Sequence, residues 1–226
     1  MNGGASQLPL PFLHRPDYAE AGFVPASSNE AARAWLARTP DWPSGRFALW
    51  GEAGCGKTHL LHIWARRAGA ALLQGGALAD APVGVPLAID AADAALADER
   101  RLLHLLNTAA EECLPVLLAA RLPPSRWKVT LPDLGSRLRA TPAARIDAAE
   151  DDLLRVLLRR LLAERQISVA ASIQDWLLLR LPRSPSVLRE AAARLDAASL
   201  AAGGKVSRAV AAAVLAEFEG AAQPDC

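Results

Sequence analysis

Eight consecutive residues, Gly51-Glu52-Ala53-Gly54-Cys55-Gly56-Lys57-Thr58, restrict this chain more than any other stretch of its sequence. They satisfy the pattern G-x-x-x-x-G-K-[ST], between an apolar run, Phe47-Ala48-Leu49-Trp50, and a segment of helical spacing over residues 58–67. Strand, glycine loop and helix in that order make a phosphate loop. The glycines let the backbone wrap so that successive N–H groups converge on phosphate oxygens, and the helix N-terminus adds the positive end of its dipole. Lys57 is expected to reach the outer phosphates of ATP or ADP, and Thr58 to ligate Mg²⁺. A glycine-rich turn without a ligand is the plainer alternative, and the spacing and both flanks weigh against it.

The rest of the chain supplies the sheet that such a loop needs. Buried-strand patterns recur at residues 70–73, 85–89, 114–120 and, more briefly, 143–147, with helical patterns at 27–38 and 98–112. Ser28 or Asn29 can cap the first of these helices, and Pro40 and Pro43 end it. Strands alternating with helices predict an α/β fold, a P-loop NTPase with a doubly wound parallel sheet. After Glu150 the pattern becomes helical throughout, starting with Leu153, Val156, Leu157, Leu161 and Leu162. The predicted organisation is a flexible tail over 1–24, a nucleotide-binding domain over 25–148, a small all-α lid over 149–219 and a loose end over 220–226. No internal repeat is present.

Composition removes several classes of function. With 25 Lys plus Arg against 24 acidic residues, the formal charge of +1 gives no general attraction to nucleic acid, so a DNA contact needs a local patch. Cys55, Cys113 and Cys226 lack the paired spacing of a zinc site or disulfide framework, which fits a reducing cytosol. No signal peptide and no apolar run of about 20 residues is visible, so the chain reads as cytoplasmic without a membrane span.

Hydrolysis needs more than a phosphate loop. Leu87-Ala88-Ile89-Asp90 is an apolar run ending in an aspartate suited to the metal, but the next residue, where a second acid is often placed, is Ala91. Asp93 is a weak substitute on the following turn. Slow or absent intrinsic hydrolysis is the expectation.

Gly56-Lys57-Thr58-His59-Leu60-Leu61-His62 resembles the phosphate loop of the DnaA family of AAA+ proteins, which places His59 in the candidate site. Leu131-Pro132-Asp133-Leu134-Gly135-Ser136-Arg137-Leu138 is similar to that family's arginine-finger segment. The resemblance implies that Arg137 acts in trans on nucleotide held by a neighbouring subunit; a surface arginine near a turn is the alternative. The lid is similar in layout to the small AAA+ helical domain, with a helix opening at Arg183-Ser184-Pro185-Ser186, where Ser184 can cap and Pro185 suits the first position. The family's nucleotide-sensing arginine falls on Ser186 here; Arg183 and Arg189 flank it, and each can substitute or be solvated. Ala120 stands where a polar sensor is expected.

Gln7-Leu8-Pro9-Leu10-Pro11-Phe12 resembles the peptide by which the Hda family, DnaA-related regulators of replication initiation, and several polymerases dock on the β sliding clamp of DNA polymerase III; a segment that packs on its own domain is the alternative. Leu10 and Phe12 can enter an apolar pocket, Gln7 can satisfy its rim, and Leu8 and the prolines, Pro11 among them, complete the match while lowering the entropy lost on binding. The DnaA family carries a C-terminal helix-turn-helix domain, and this chain ends soon after its lid, so it is not expected to be a complete initiator. An Hda-like negative regulator is therefore expected, with DnaA and the clamp as partners, DNA reached through the clamp, and homo-oligomerisation left open. Two rivals stand beside it: a helicase-loader-type ATPase, which needs intrinsic turnover, and a non-catalytic recruiting module, which does not need Arg137.

Overall fold

In the computed structural model, β1 (Arg46–Trp50) runs directly into the glycine loop and α2 (Lys57–Ala68). Residues 18–201 and 206–221 are described; the candidate clamp peptide at 7–12 and the chain's last residues, 222–226, lie outside them. Four further strands, β2 (Ala71–Gln74), β3 (Leu87–Asp90), β4 (Val116–Ala120) and β5 (Ala143–Arg145), complete a five-stranded sheet in the order β2-β3-β4-β1-β5, every pair parallel. Parallel neighbours require crossovers, and helices on both faces provide them except between β2 and β3, whose connection over residues 75–86 contains no helix. α1 (Ser27–Leu36) and α2 cover one face, packing with Phe47, Leu49, Leu117 and Ala119; α3 (Glu99–Glu111) and α4 (Pro132–Ala140) cover the other, packing with Ala48, Ile89 and Leu118. This is the doubly wound α/β arrangement that the alternating pattern predicts.

The strand and helix expectations map closely onto these elements, with shifts of a residue or two at their ends. α1 is entered without a side-chain cap from Ala26; Asn29 instead accepts from the Ala26 N–H at 3.2 Å and donates to Val24 O. α4 has no counterpart among the sequence-predicted helices. Gly135 at its centre and three charged residues blur the apolar period, and the helix is held mainly by tertiary contacts of the fully buried Leu134 and Leu138. Its entrance is anchored by Glu99, whose carboxylate accepts from Thr130 N, Thr130 Oγ1 and Leu131 N at 2.7–2.8 Å.

The sheet is left after Arg145, and from Asp151 onward the chain is helical: α5 (Asp151–Glu164), α6 (Ala171–Leu178), α7 (Pro185–Ala201) and α8 (Arg208–Ala221). These four close around their own core, which includes Leu158, Leu177, Leu188, Leu195 and Leu215. Pro185 occupies the first helical position of α7, where its missing N–H costs nothing. No helix among the described residues is long and apolar enough to cross a membrane.

The expected flexible tail meets a different arrangement at its end. Residues 18–24 lie against α2: Tyr18 stacks on His62 with centroids 4.1 Å apart, Phe23 meets His59 edge-on at 5.2 Å, and Glu20 pairs with Arg67. Aromatic contacts with α2, together with one 3-10 turn at Glu20–Gly22, hold this stretch in place.

Two consequences follow for stability. Leu158→Ala leaves a cavity in the lid core and is expected to cost about 2–5 kcal/mol in denaturant titrations. The bonds from Thr130 and Leu131 hold the Glu99 carboxyl below the usual carboxylate range. Because that pKa is lowered on folding, the stability Glu99 contributes is present above the unfolded glutamate pKa and is lost as pH falls through the folded one. Thermal unfolding followed from neutral to acid pH should therefore show a component that disappears in Glu99→Gln.

Candidate functional site

The glycine loop is shaped by its backbone and by what presses on it. A side chain at Gly51, whose φ is 151°, would collide with the Ile146 carbonyl. At Gly54, φ is 77°, and a Cβ would lie 2.6 Å from Ser186 Oγ and also strike Ser184 Oγ. The lid therefore rests directly on the loop, and glycine at 54 permits the contact. Lys57 Nζ folds back across the loop, donating to Gly51 O at 2.8 Å and Glu52 O at 2.7 Å and lying 3.7 Å from Cys55 Sγ. Glu52 and Ala53 are exposed, Cys55 is half-buried, and Gly56 is followed at once by α2.

Below the loop, Thr58 Oγ1 donates to Asp90 Oδ2 at 2.7 Å. This joins the first turn of α2 to the end of β3 and brings two hard oxygen ligands together, a donor set suited to Mg²⁺. Asp90 Oδ1 accepts from the Ala91 N–H at 2.9 Å, and Ala91 is in the left-handed region with φ 46°. Asp93 sits in the following 3-10 turn, Ala92–Asp98, half-buried. Ala120 pairs in register with Trp50, so the end of β4 lies beside the start of the loop with a buried alanine in place of a polar residue. Neither Ala91 nor Ala120 can polarise or orient a water.

The lid and the N-terminal stretch meet at His59. That side chain is buried, with Nε2 2.9 Å from Ala19 O and Nδ1 3.3 Å from Arg189 Nη2. A neutral ring donating from Nε2 and accepting at Nδ1 satisfies both contacts. Burial holds the Arg189 guanidinium below its ordinary value, opposed by Tyr18 and Glu164. Arg183 is drawn elsewhere, into an exposed ion pair with Asp151. Of the two lid arginines, Arg189 thus reaches the phosphate-loop helix. Phe23 completes this corner, 3.6 Å from the Cβ position of Gly56.

Arg137 is not brought to its own chain's loop. It lies on α4, on the sheet face opposite α2, with Nε 3.5 Å from Asp133 Oδ1 one turn back. Several participants escape sequence reasoning. Ser184 and Ser186 matter here as the lid's contact with Gly54. Tyr18 and Phe23 sit in a stretch without motif or periodicity.

Gly54→Ala combines a left-handed φ with the serine clash, so it should push the lid off the loop and destabilise the protein by more than about 1 kcal/mol. Hydrogen exchange at residues 184–189 should rise with it, whereas Gly69→Ala, left-handed but without a neighbour near its Cβ position, should leave that exchange unchanged.

No protein-family model matches the chain, and no curated protein matches it in sequence. Solved structures do. Domain III of the replication initiation protein DnaA from Thermotoga maritima superposes with a TM-score of 0.77 at 16% identity, covering 90% of this chain and 98% of that one. AMPPCP-bound DnaA from Aquifex aeolicus gives 0.62 at 18% identity, covering 74% of this chain and 61% of that one. The Holliday junction branch migration motor RuvB of Thermotoga maritima also gives 0.62, at 17% identity, covering 82% of this chain and 68% of that one. At such identities the likeness speaks for architecture: the chain shares the fold of DnaA domain III and of RuvB, a parallel five-stranded sheet followed by helices.

Proposed function

We propose that this protein is an Hda-like negative regulator of replication initiation, which binds adenine nucleotide and promotes hydrolysis of ATP held by DnaA. The observation that carries the proposal is the separation of two half-sites. Lys57, Thr58 and Asp90 gather on one side with Ala91 and Ala120 in place of hydrolytic groups, while Arg137 sits across the sheet from its own loop. A chain so arranged can hold a nucleotide and lend an arginine to another.

In this reading the loop N–H groups from Gly51 to Thr58 and the Lys57 ammonium hold the phosphates, with Thr58 and Asp90 as ligands for Mg²⁺, which supplies charge neutralisation when bound. Arg189, reaching His59 from α7, ties the lid to this end of α2 and substitutes for the arginine absent at Ser186. ADP suits a site without hydrolytic groups, where nucleotide acts as a structural ligand between the sheet and the lid. Residues Gln7, Leu8, Leu10, Pro11 and Phe12 tether the protein to the β sliding clamp, and through it to DNA. DnaA bound to AMPPCP is a precedent for adenine nucleotide on this architecture.

The test is hydrolysis of ATP prebound to DnaA, with and without this protein and DNA-loaded clamp. Stimulation is expected with wild type and should fall by about 10³-fold or more in Arg137→Ala if the guanidinium acts in trans. Joint replacement of Gln7, Leu10 and Phe12 by alanine should remove only the clamp-dependent part. Stimulation unchanged in Arg137→Ala would overturn the arginine's role; clamp binding with no stimulation would favour a recruiting module, and rapid hydrolysis by this chain alone a loader-type ATPase. Lys57→Ala should abolish nucleotide binding in equilibrium titration.

A further inference from the structure

Arg46 is a charged residue in a place that charge does not favour. It heads β1 and shares the orientation of Ala48, which packs with Leu134 and Leu138 of α4. The residue is only 6% exposed. Its Nε and Nη1 find no acceptor among the described residues, and neither does Nε of Arg137, on the same helix as those leucines. The two guanidinium groups are close enough to act on one another: burial first, and then the Arg137 charge, hold Arg46 below its ordinary value. An arginine guanidinium keeps its charge at neutral pH. The carboxylate beside them, Asp133, is largely exposed and reaches only Arg137 Nε, at 3.5 Å.

Two cations on the α4 side of the sheet, with three buried guanidinium nitrogens lacking hydrogen-bond acceptors among the described residues, are unfavourable unless an anion joins them. From this placement we propose that Arg46 and Arg137 form a two-guanidinium oxyanion site for a phosphate group, either inorganic phosphate or an outer phosphate of nucleotide carried by a second subunit. Guanidinium forks match phosphate oxygens in geometry, and a doubly charged anion offsets both cations. The second source rests on the function proposed above; the first does not. Arg46 then becomes a binding residue of the trans site, beyond the single arginine that the sequence motif supplies.

The experiment uses the full chain carrying Lys57→Ala, so that the phosphate loop does not compete. Thermal unfolding is followed against inorganic phosphate at constant ionic strength set with chloride. The midpoint should rise with phosphate, and addition of Arg46→Met or Arg137→Met should abolish the rise. Without phosphate, Arg46→Met should melt higher than its parent, since it removes an uncompensated buried charge. No phosphate-specific rise, or a rise that survives Arg46→Met, overturns the site. If the methionine variant does not fold, Arg46→Lys keeps a cation without the fork and should need about tenfold more phosphate for the same shift; an unchanged requirement overturns the proposal equally. Hydrolysis of DnaA-bound ATP then separates the sources. If Arg46→Met loses both the phosphate shift and the stimulation, the anion belongs to the neighbour's nucleotide; if only the shift is lost, the site takes free phosphate. A shift in the Lys57→Ala chain together with no stimulation by wild type retains this site while the function of the preceding section falls.

Discussion

β1 is hydrogen-bonded on both sides, to β4 through Arg46–Trp50 and to β5 through Ala48–Trp50, and Phe47, Ala48 and Leu49 are buried. A strand held in this way cannot shift register without turning its side chains to the wrong face on both of its neighbours. The glycine loop leaves its carboxyl end, so the position of every loop N–H group is inherited from this pairing. The Thr58–Asp90 bond adds a second fixed point, locking the first turn of α2 to the adjacent part of the sheet. The phosphate-loop geometry is thus a property of the sheet as much as of the glycines.

The same strand separates two chemistries. At its carboxyl end lie the loop, the Thr58–Asp90 pair and the lid contacts at Gly54 and His59. At its amino end, on the α3–α4 side, Arg46 and Arg137 share a cationic corner. The first is rich in backbone donors and hard oxygens and poor in groups that could activate water. The second presents positive charge away from the nucleotide loop of its own chain. In the proposed function, this division is what leaves Arg137 free to act on a neighbouring subunit.

The lid is bound to the loop by small and neutral contacts. Ser184 and Ser186 press against Gly54, and Arg189 reaches the buried His59. Arg183 spends its charge on Asp151. The N-terminal stretch closes the same corner, with Tyr18 and Phe23 against His62 and His59. The loop, the lid and this stretch therefore meet around one buried imidazole.

The phosphate loop, all five strands and most of the helices were legible in the sequence, because each rests on local causes: glycines at set spacing, apolar runs long enough to be buried, prolines that end helices, and apolar residues at helical period. The sequence by itself therefore determined the α/β class, the place of the nucleotide-type site and the change to an all-helical segment after Glu150. Tertiary structure alone decided the rest. α4 forms around Leu134 and Leu138 despite Gly135, with its entrance held by Glu99 from about thirty residues away. Residues 18–24 find their place only on the surface of α2, and the environments of Arg46, Arg183 and Arg189 depend on partners distant in the chain. Local pattern encodes backbone preference, but which charge lies beside which is set by how sheet, helices and lid pack, and that placement decides what each arginine can do.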